Sequence, residues 1–283
     1  MNKDEYLHSL RSGFGYHSPP RSGSPAKDIG GWRSLTYYVR LISTLTHASF
    51  VARRGELDNE RWAWFSHRIL QIVESVGGKV HISGLEGVAQ YQGPVVYIAN
   101  HMSLLEPLIL PGIALAFNRV TFVIKEELRR YPVIGHIMKA LKLIAVSREN
   151  PREDLKVVLS EGHKFIANGG SIVIFPQATR SVEFDARVFN TLGVKLASRA
   201  GVPVIPVAVK TDFQSNGKFI KDMGRIDPGK VLYFKFGEPM AVEGRGRQTQ
   251  QRVVEFISSN LAVWGGMVKE NLESGIPGAE RLT

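Results

Sequence analysis

The sequence predicts an α/β protein, a mostly parallel sheet flanked by helices and preceded by an N-terminal amphipathic helical pair. Three observations predict it. From residue 79 onward, short apolar runs alternate with helix-length stretches, the pattern of parallel strands joined by crossover helices. Before residue 79, two longer stretches repeat their apolar residues at three- and four-residue steps. Finally, 283 residues with 43% hydrophobic and 22% charged side chains suffice for a core that needs no disulfide or metal staple.

The elements follow in order. Residues 1–30 place Asp4 and Glu5 just behind Lys3 and turn Ser/Gly/Pro-rich, so they lack the apolar core of a secretory signal and are expected to be a flexible leader. Region 31–78 carries the helical pair. One helix is expected over 32–53 (Leu35, Tyr38, Val39, Ile42, Leu45, Phe50, with Arg33 and Arg40 between). The other is expected over 60–76 (Trp62, Trp64, Phe65, Ile69, Leu70, Ile72, flanked by Arg61 and Arg68). Aromatic amphipathic helices with basic borders suit a bilayer interface, and packing on the protein's own core is the other fate of such a stripe. Residues 79–283 form the α/β domain. Strands are expected at 79–82, 95–99, 120–124, 143–146, 171–175, 204–209 and 231–236. Helices are expected at 104–116, 134–141, 154–168, 188–199 and 249–270.

Charge narrows the company this chain keeps. Lys and Arg number 36 against 26 Asp and Glu, a net +10 that points to anionic partners: nucleic acid, a phospholipid surface or a phosphorylated substrate. The basic residues are scattered among apolar segments, with no concentrated stripe, which argues against nucleic acid. No apolar run reaches the roughly 20 residues of a membrane span. The absence of cysteine removes thiol nucleophiles and Cys-based zinc sites, and no His-Glu-x-x-His pattern occurs, so no metal is expected.

The sharpest local feature is Asn100-His101-Met102-Ser103-Leu104-Leu105-Glu106-Pro107, directly after the strand at 95–99. Ligands of α/β sheets sit at the carboxyl ends of strands. On one continuous helix His101 and Glu106 would point about 140° apart. They meet only if His101 lies in the loop and Glu106 in the first helical turn, where a carboxylate can fix one ring nitrogen and leave the other as a base. The same residues also fit a capping box, Ser103 capping and Glu106 reaching back, with His101 an ordinary loop histidine. Both readings stand at this point.

Four blocks in order resemble the lysophosphatidate (1-acylglycerol-3-phosphate) acyltransferases and their glycerolipid acyltransferase relatives. The first is His101 with Glu106, a histidine followed after four residues by an acidic one. The second is Val123-Ile124-Lys125-Glu126-Glu127-Leu128 with Pro132-Val133-Ile134-Gly135 and Ile144-Ala145-Val146-Ser147-Arg148. The third is Ile174-Phe175-Pro176-Gln177-Ala178-Thr179-Arg180-Ser181, and the fourth Val202-Pro203-Val204-Ile205-Pro206-Val207-Ala208. The helical pair is similar to that family's two-helix membrane-docking element.

The resemblance implies acyl transfer from a thioester, acyl-CoA or acyl carrier protein, to a lyso-lipid hydroxyl, with no further cofactor. His101 would take the proton of the attacking hydroxyl and Glu106 would orient the imidazole. Lys125, Arg148 and Arg180 would grip a phosphate, since guanidinium binds phosphate in a bidentate fashion. Gln177, Thr179 and Ser181 would complete the substrate contacts, Thr179 and Ser181 having turn-capping as their alternative. The third block departs from the usual Phe-Pro-Glu-Gly-Thr-Arg-Ser at Gln177 and Ala178, and Glu106 stands where aspartate is usual. These departures leave acyl transfer in place and open the acceptor to an aminolipid, another lysophospholipid or a glycolipid. A non-catalytic or altered-specificity lipid-binding relative is the alternative. The expected location is the cytoplasmic face of the inner membrane, peripheral or monotopic, against an anionic leaflet.

Overall fold

The computed structural model describes residues 2–19, 31–177, 179–215 and 223–269. Its centre is an eight-stranded sheet in the order β1-β2-β9-β8-β3-β6-β4-β5. The strands are β1 (Tyr16–His17), β2 (Lys79–Ser83), β3 (Val96–Ala99), β4 (Val120–Lys125), β5 (Ile144–Val146), β6 (Ser171–Ile174), β8 (Val204–Lys210) and β9 (Val231–Phe236). All pairings are parallel except β1 with β2 and β8 with β9. The strand β7 (Glu183–Phe184) pairs outside this sheet with β10 (Met267–Val268).

Strand alternation separates two cores, because successive side chains point to opposite faces. On one face Tyr97, Phe122, Val173 and Val207 pack under α2 (Trp32–Arg53), α3 (Asn59–Ser75) and α5 (Glu106–Ala114). On the other, Ile98, Ile172, Ile174 and Ala208 pack under α7 (Pro151–Ala167), α8 (Leu192–Ala200) and α9 (Arg247–Val263). The remaining helices are α1 (Lys3–Arg11), α4 (Glu86–Gln90) and α6 (Ile134–Ala140).

The leader expected at 1–30 is ordered over its first part. Asn2 and Glu5 form a reciprocal capping box that starts α1, and Tyr6 and Leu10 are buried in the core. Tyr16 in β1 donates to Glu74 of α3 at 2.5 Å, so the segment straps α3 to the sheet edge. Residues 20–30 of the expected leader lie outside the described residues.

Helix boundaries moved where side chains captured backbone groups. The helix expected at 104 starts at Glu106, because its carboxylate holds the N–H groups of Met102 and Ser103 in a non-helical loop. The helix expected from 154 starts at Pro151, capped by Asn150. The one expected from 188 starts at Leu192, since Asn190 ties the approach to Pro176. The last helix ends at Val263, where Gly265 takes φ +67° and Gly266 donates back to Leu261. Residue 270, its expected end, is outside the described residues.

Candidate active site

The loops after β3, β4, β5, β6 and β8 meet at one edge of the sheet, and they carry the residues of the four motifs. Asn100 anchors the first loop. Its side chain accepts from the N–H of Val209 and donates to the same residue's carbonyl, both at 2.8 Å, so it behaves as one more rung of the ladder. The N–H of Thr211 donates to the sulfur of Met102 at 3.3 Å.

Glu106 is completely buried, and its hydrogen-bond partners all donate to its carboxylate. Oε1 accepts the N–H groups of Met102 (2.7 Å) and Ser103 (2.8 Å) and the hydroxyl of Thr211 (2.6 Å). Oε2 accepts the Ser103 N–H at 3.0 Å and faces Nδ1 of His101 at 3.7 Å. Ser103 Oγ lies 2.9 Å from Thr211 Oγ1, so its single proton extends a relay from Ser103 through Thr211 to Glu106. Half of the capping box forms. Glu106 captures backbone N–H groups and also stands beside His101, but the N-cap is Leu105 with no side-chain cap bond, and Ser103 Oγ accepts instead from the Leu105 N–H at 3.0 Å.

His101 is fixed at three points. Its N–H donates to Oε1 of Gln177 at 2.6 Å, its carbonyl accepts from the N–H of Ser181 at 3.0 Å, and its ring stacks on Phe175 with centroids 4.4 Å apart. Nδ1 is buried and unpaired, roughly 0.8 Å beyond normal hydrogen-bond contact with Glu106. Catalytic hydrogen bonds are commonly long in an empty site and tighten on substrate.

The other expected residues divide. Gln177 is 3% exposed, and both it and Ser181 spend hydrogen bonds on the His101 main chain. Ser181 also closes the turn to Glu183, the capping alternative raised by the sequence. Thr179 is exposed and Arg180 half-buried on the same loop. Ala178 lies outside the described residues. Lys125 pairs with Glu127 at 2.6 Å. Arg148 takes φ +64°, and Asp154 holds that turn by accepting the N–H groups of Ser147 and Arg148. Burial pushes the Arg148 guanidinium below its ordinary value, with Asp154 and Glu127 opposing.

His101, Lys125 and Arg148 border an apolar cavity of about 170 Å³. It runs between the sheet and α2–α3, walled by Leu45, Ala48, Trp62, Phe65, Phe122 and Leu108. Sequence periodicity marked these residues as core without showing the space between them. Thr211, Asn100 and Ser103 were missed as site residues. The visible signal for Thr211 was only its place just past the strand of the fourth block.

Residues 79–210 match the acyltransferase family model. The chain is 27% identical over 236 residues to the 1-acyl-sn-glycerol-3-phosphate acyltransferase of Pseudomonas aeruginosa, covering 82% of this chain and 84% of that one. It is 25% identical over 236 residues to the lyso-ornithine lipid O-acyltransferase of the same organism, covering 77% and 85%. Among solved structures it resembles the 1-acyl-sn-glycerophosphate acyltransferase PlsC of Thermotoga maritima, with a TM-score of 0.59 at 20% identity over 84% of this chain and 97% of that one. The last likeness speaks for the fold.

Proposed function

From the match of residues 79–210 to the acyltransferase family model, we propose that the chain moves a fatty acyl group from acyl-CoA or acyl carrier protein to the hydroxyl of a lyso-lipid at a membrane surface. The observation that carries the proposal is His101 lining an apolar cavity with a buried, donor-saturated carboxylate facing its Nδ1. An acyl chain fills the cavity and brings its thioester carbonyl to the imidazole. Glu106 holds the tautomer with the proton on Nδ1, so Nε2 takes the acceptor's hydroxyl proton as the oxygen attacks the carbonyl. The tetrahedral intermediate collapses, the carbon–sulfur bond breaks, and the thiolate leaves with the proton returned from the imidazolium. No acyl-enzyme and no further cofactor is needed. Lys125, Arg148 and Arg180, with Thr179, supply the contacts for an anionic headgroup, and Gln177 and Ser181 hold the His101 loop.

Membrane attachment is proposed through α2. Its outer stripe keeps Trp32 72% exposed and Val39 59% exposed, together with Leu35, Ile42 and Phe50, and exposed arginines 40, 53 and 54 border it. Among the described residues no helix is long and apolar enough to cross a membrane. An anionic leaflet, the cytoplasmic face of the inner membrane in a bacterial host, fits a peripheral or monotopic attachment with about 1 kcal/mol per well-placed basic residue.

Lysophosphatidate is the first acceptor, by likeness to the Pseudomonas glycerophosphate enzyme. The likeness to the lyso-ornithine lipid enzyme favours an aminolipid acceptor as the second reading. The test is transfer of radiolabelled acyl groups to a panel of lyso-lipids. Wild type is expected to label one acceptor class, and His101→Ala to lose at least 100-fold while still binding vesicles, in line with about 10²–10⁴-fold for general-base catalysis. Unchanged turnover in His101→Ala removes the mechanism. Vesicle binding without transfer to any acceptor favours a non-catalytic lipid binder.

A further inference from the structure

A second cavity, of about 440 Å³, lies on the opposite face of the sheet between α7 and α8. Val123, Arg148 and Phe175 line both cavities, so the two spaces approach each other where Phe175 stacks on His101. Their linings differ in chemistry. The first is a hydrocarbon wall with basic groups at its mouth. The second combines apolar Val146, Leu155 and Val158 with polar Gln177, Asn190 and Thr191, and Asp154 and exposed Lys195 also line it.

We propose that this second cavity binds the phosphopantetheine arm of the acyl thioester donor, the arm common to coenzyme A and acyl carrier protein. The proposal rests on the acyl-transfer reading and adds where the donor lies. Three features carry it. A pantetheine arm carries both methylene and amide groups, matching a wall that offers both aliphatic and amide or hydroxyl side chains. Its phosphate requires a cation, and exposed Lys195 supplies one beside the first turn of α8, whose Thr191 makes no side-chain cap bond. Sidedness is the third. The exposed apolar stripe belongs to α2, on the face of the hydrocarbon cavity, so a lipid acceptor approaches from that side. A water-soluble carrier approaches from the α7–α8 face. The acyl chain and the arm then extend to opposite faces of the sheet, with the thioester between them at His101.

The test is calorimetric titration of coenzyme A, and in a parallel arm of holo-acyl carrier protein, into the full chain. Wild type is expected to bind in at least one arm, and the arm that binds more tightly identifies the donor. Lys195→Glu and the cavity-filling Leu155→Trp should each weaken binding about tenfold, the size of one lost charge-assisted contact. Lys164→Glu, near the far end of α7, changes the net charge equally and should leave binding unchanged. Because Lys195 is exposed, its variant tests the proposal even if Leu155→Trp fails to fold. In turnover, Lys195→Glu should raise the KM for acyl-CoA and leave the KM for the lyso-lipid alone. Acyl N-acetylcysteamine thioester, which lacks the phosphate, should show no difference between wild type and variant.

The proposal is overturned if wild type binds neither probe, if Lys195→Glu binds as wild type does, or if only the lyso-lipid KM rises. Binding is read without turnover, so the two failures separate. A chain that binds coenzyme A in this cavity but transfers nothing refutes the enzymatic reading alone. Transfer that ignores Lys195→Glu refutes the cavity alone.

Discussion

At the residue scale, the chemistry depends on how a buried carboxylate is held. Thr211 is a positioning residue: its hydroxyl gives Glu106 a 2.6 Å hydrogen bond and itself accepts from Ser103. Removing that donor leaves the carboxylate held only from the Met102–Ser103 side and concentrates its charge toward His101. Thr211→Val is therefore expected to lower kcat about tenfold or more, since a hydrogen bond to a charged group is worth about 1.5–3 kcal/mol. The KM values should hold, and the acid limb of the pH–rate profile should move to higher pH. Thr211→Ser should restore both. Steady-state kinetics across pH checks this, because a residue that merely packs would leave the acid limb in place. Gln177 carries a related lesson. The usual glutamate of its motif offers an acceptor oxygen, and the glutamine amide offers the same atom to the His101 N–H. The departure seen in the sequence is compatible with a preserved His101 loop.

At the element scale, α3 shows how a helix takes on opposite duties. His67, on its buried side, stacks on Tyr6 of α1 with ring centroids 4.6 Å apart. Burial pushes this imidazole down from 6.5 to about 4. The unfolded chain therefore binds a proton between those values that the folded chain refuses. The stability contributed by this neutral histidine is complete above pH 6.5 and falls as pH drops toward 4, the sign expected when the unfolded state holds more protons. Thermal melting across pH 4–7.5 should show this decline, and His67→Phe should flatten it. A histidine effect on activity alone, with no change in melting temperature, would contradict the assignment. For α2 the outward stripe is the testable part. Val39→Asp is expected to reduce binding to anionic vesicles about tenfold, about the free energy of burying one valine. Its melting temperature should not change, because the side chain already faces solvent.

At the scale of the whole molecule, the sheet is a partition with a reacting edge. The hydrocarbon cavity exists only because α2 and α3 stand off the sheet, and the strap formed by α1 and β1 holds α3 through Tyr16 and Glu74. Ala48 of α2 is a buried small residue on that cavity's wall. Ala48→Phe should fill part of the space and move the preferred donor toward shorter acyl chains, read as kcat/KM over a chain-length series. An unchanged preference would show that the acyl chain lies elsewhere.

Local patterning determined much of this protein. The strand over Val231–Phe236 and the helix over Trp32–Arg53 stand where their periodicities place them. His101 and Glu106 were legible as a pair because their spacing works only across a loop–helix junction. The ordered N-terminal strap was not legible over its Ser/Gly/Pro-rich surroundings, although Asn2 and Glu5 are a capping signal, because a nine-residue helix owes its stability to packing. Only tertiary structure brought Thr211 to Glu106, 105 positions apart in the chain. Strand order decided that, through the parallel pairing of β3 with β8, and no short-range pattern encodes which strands become neighbours. The two cavities have the same origin. A sequence shows which side chains are apolar, but whether their faces meet or leave a space depends on how far the packed elements stand apart.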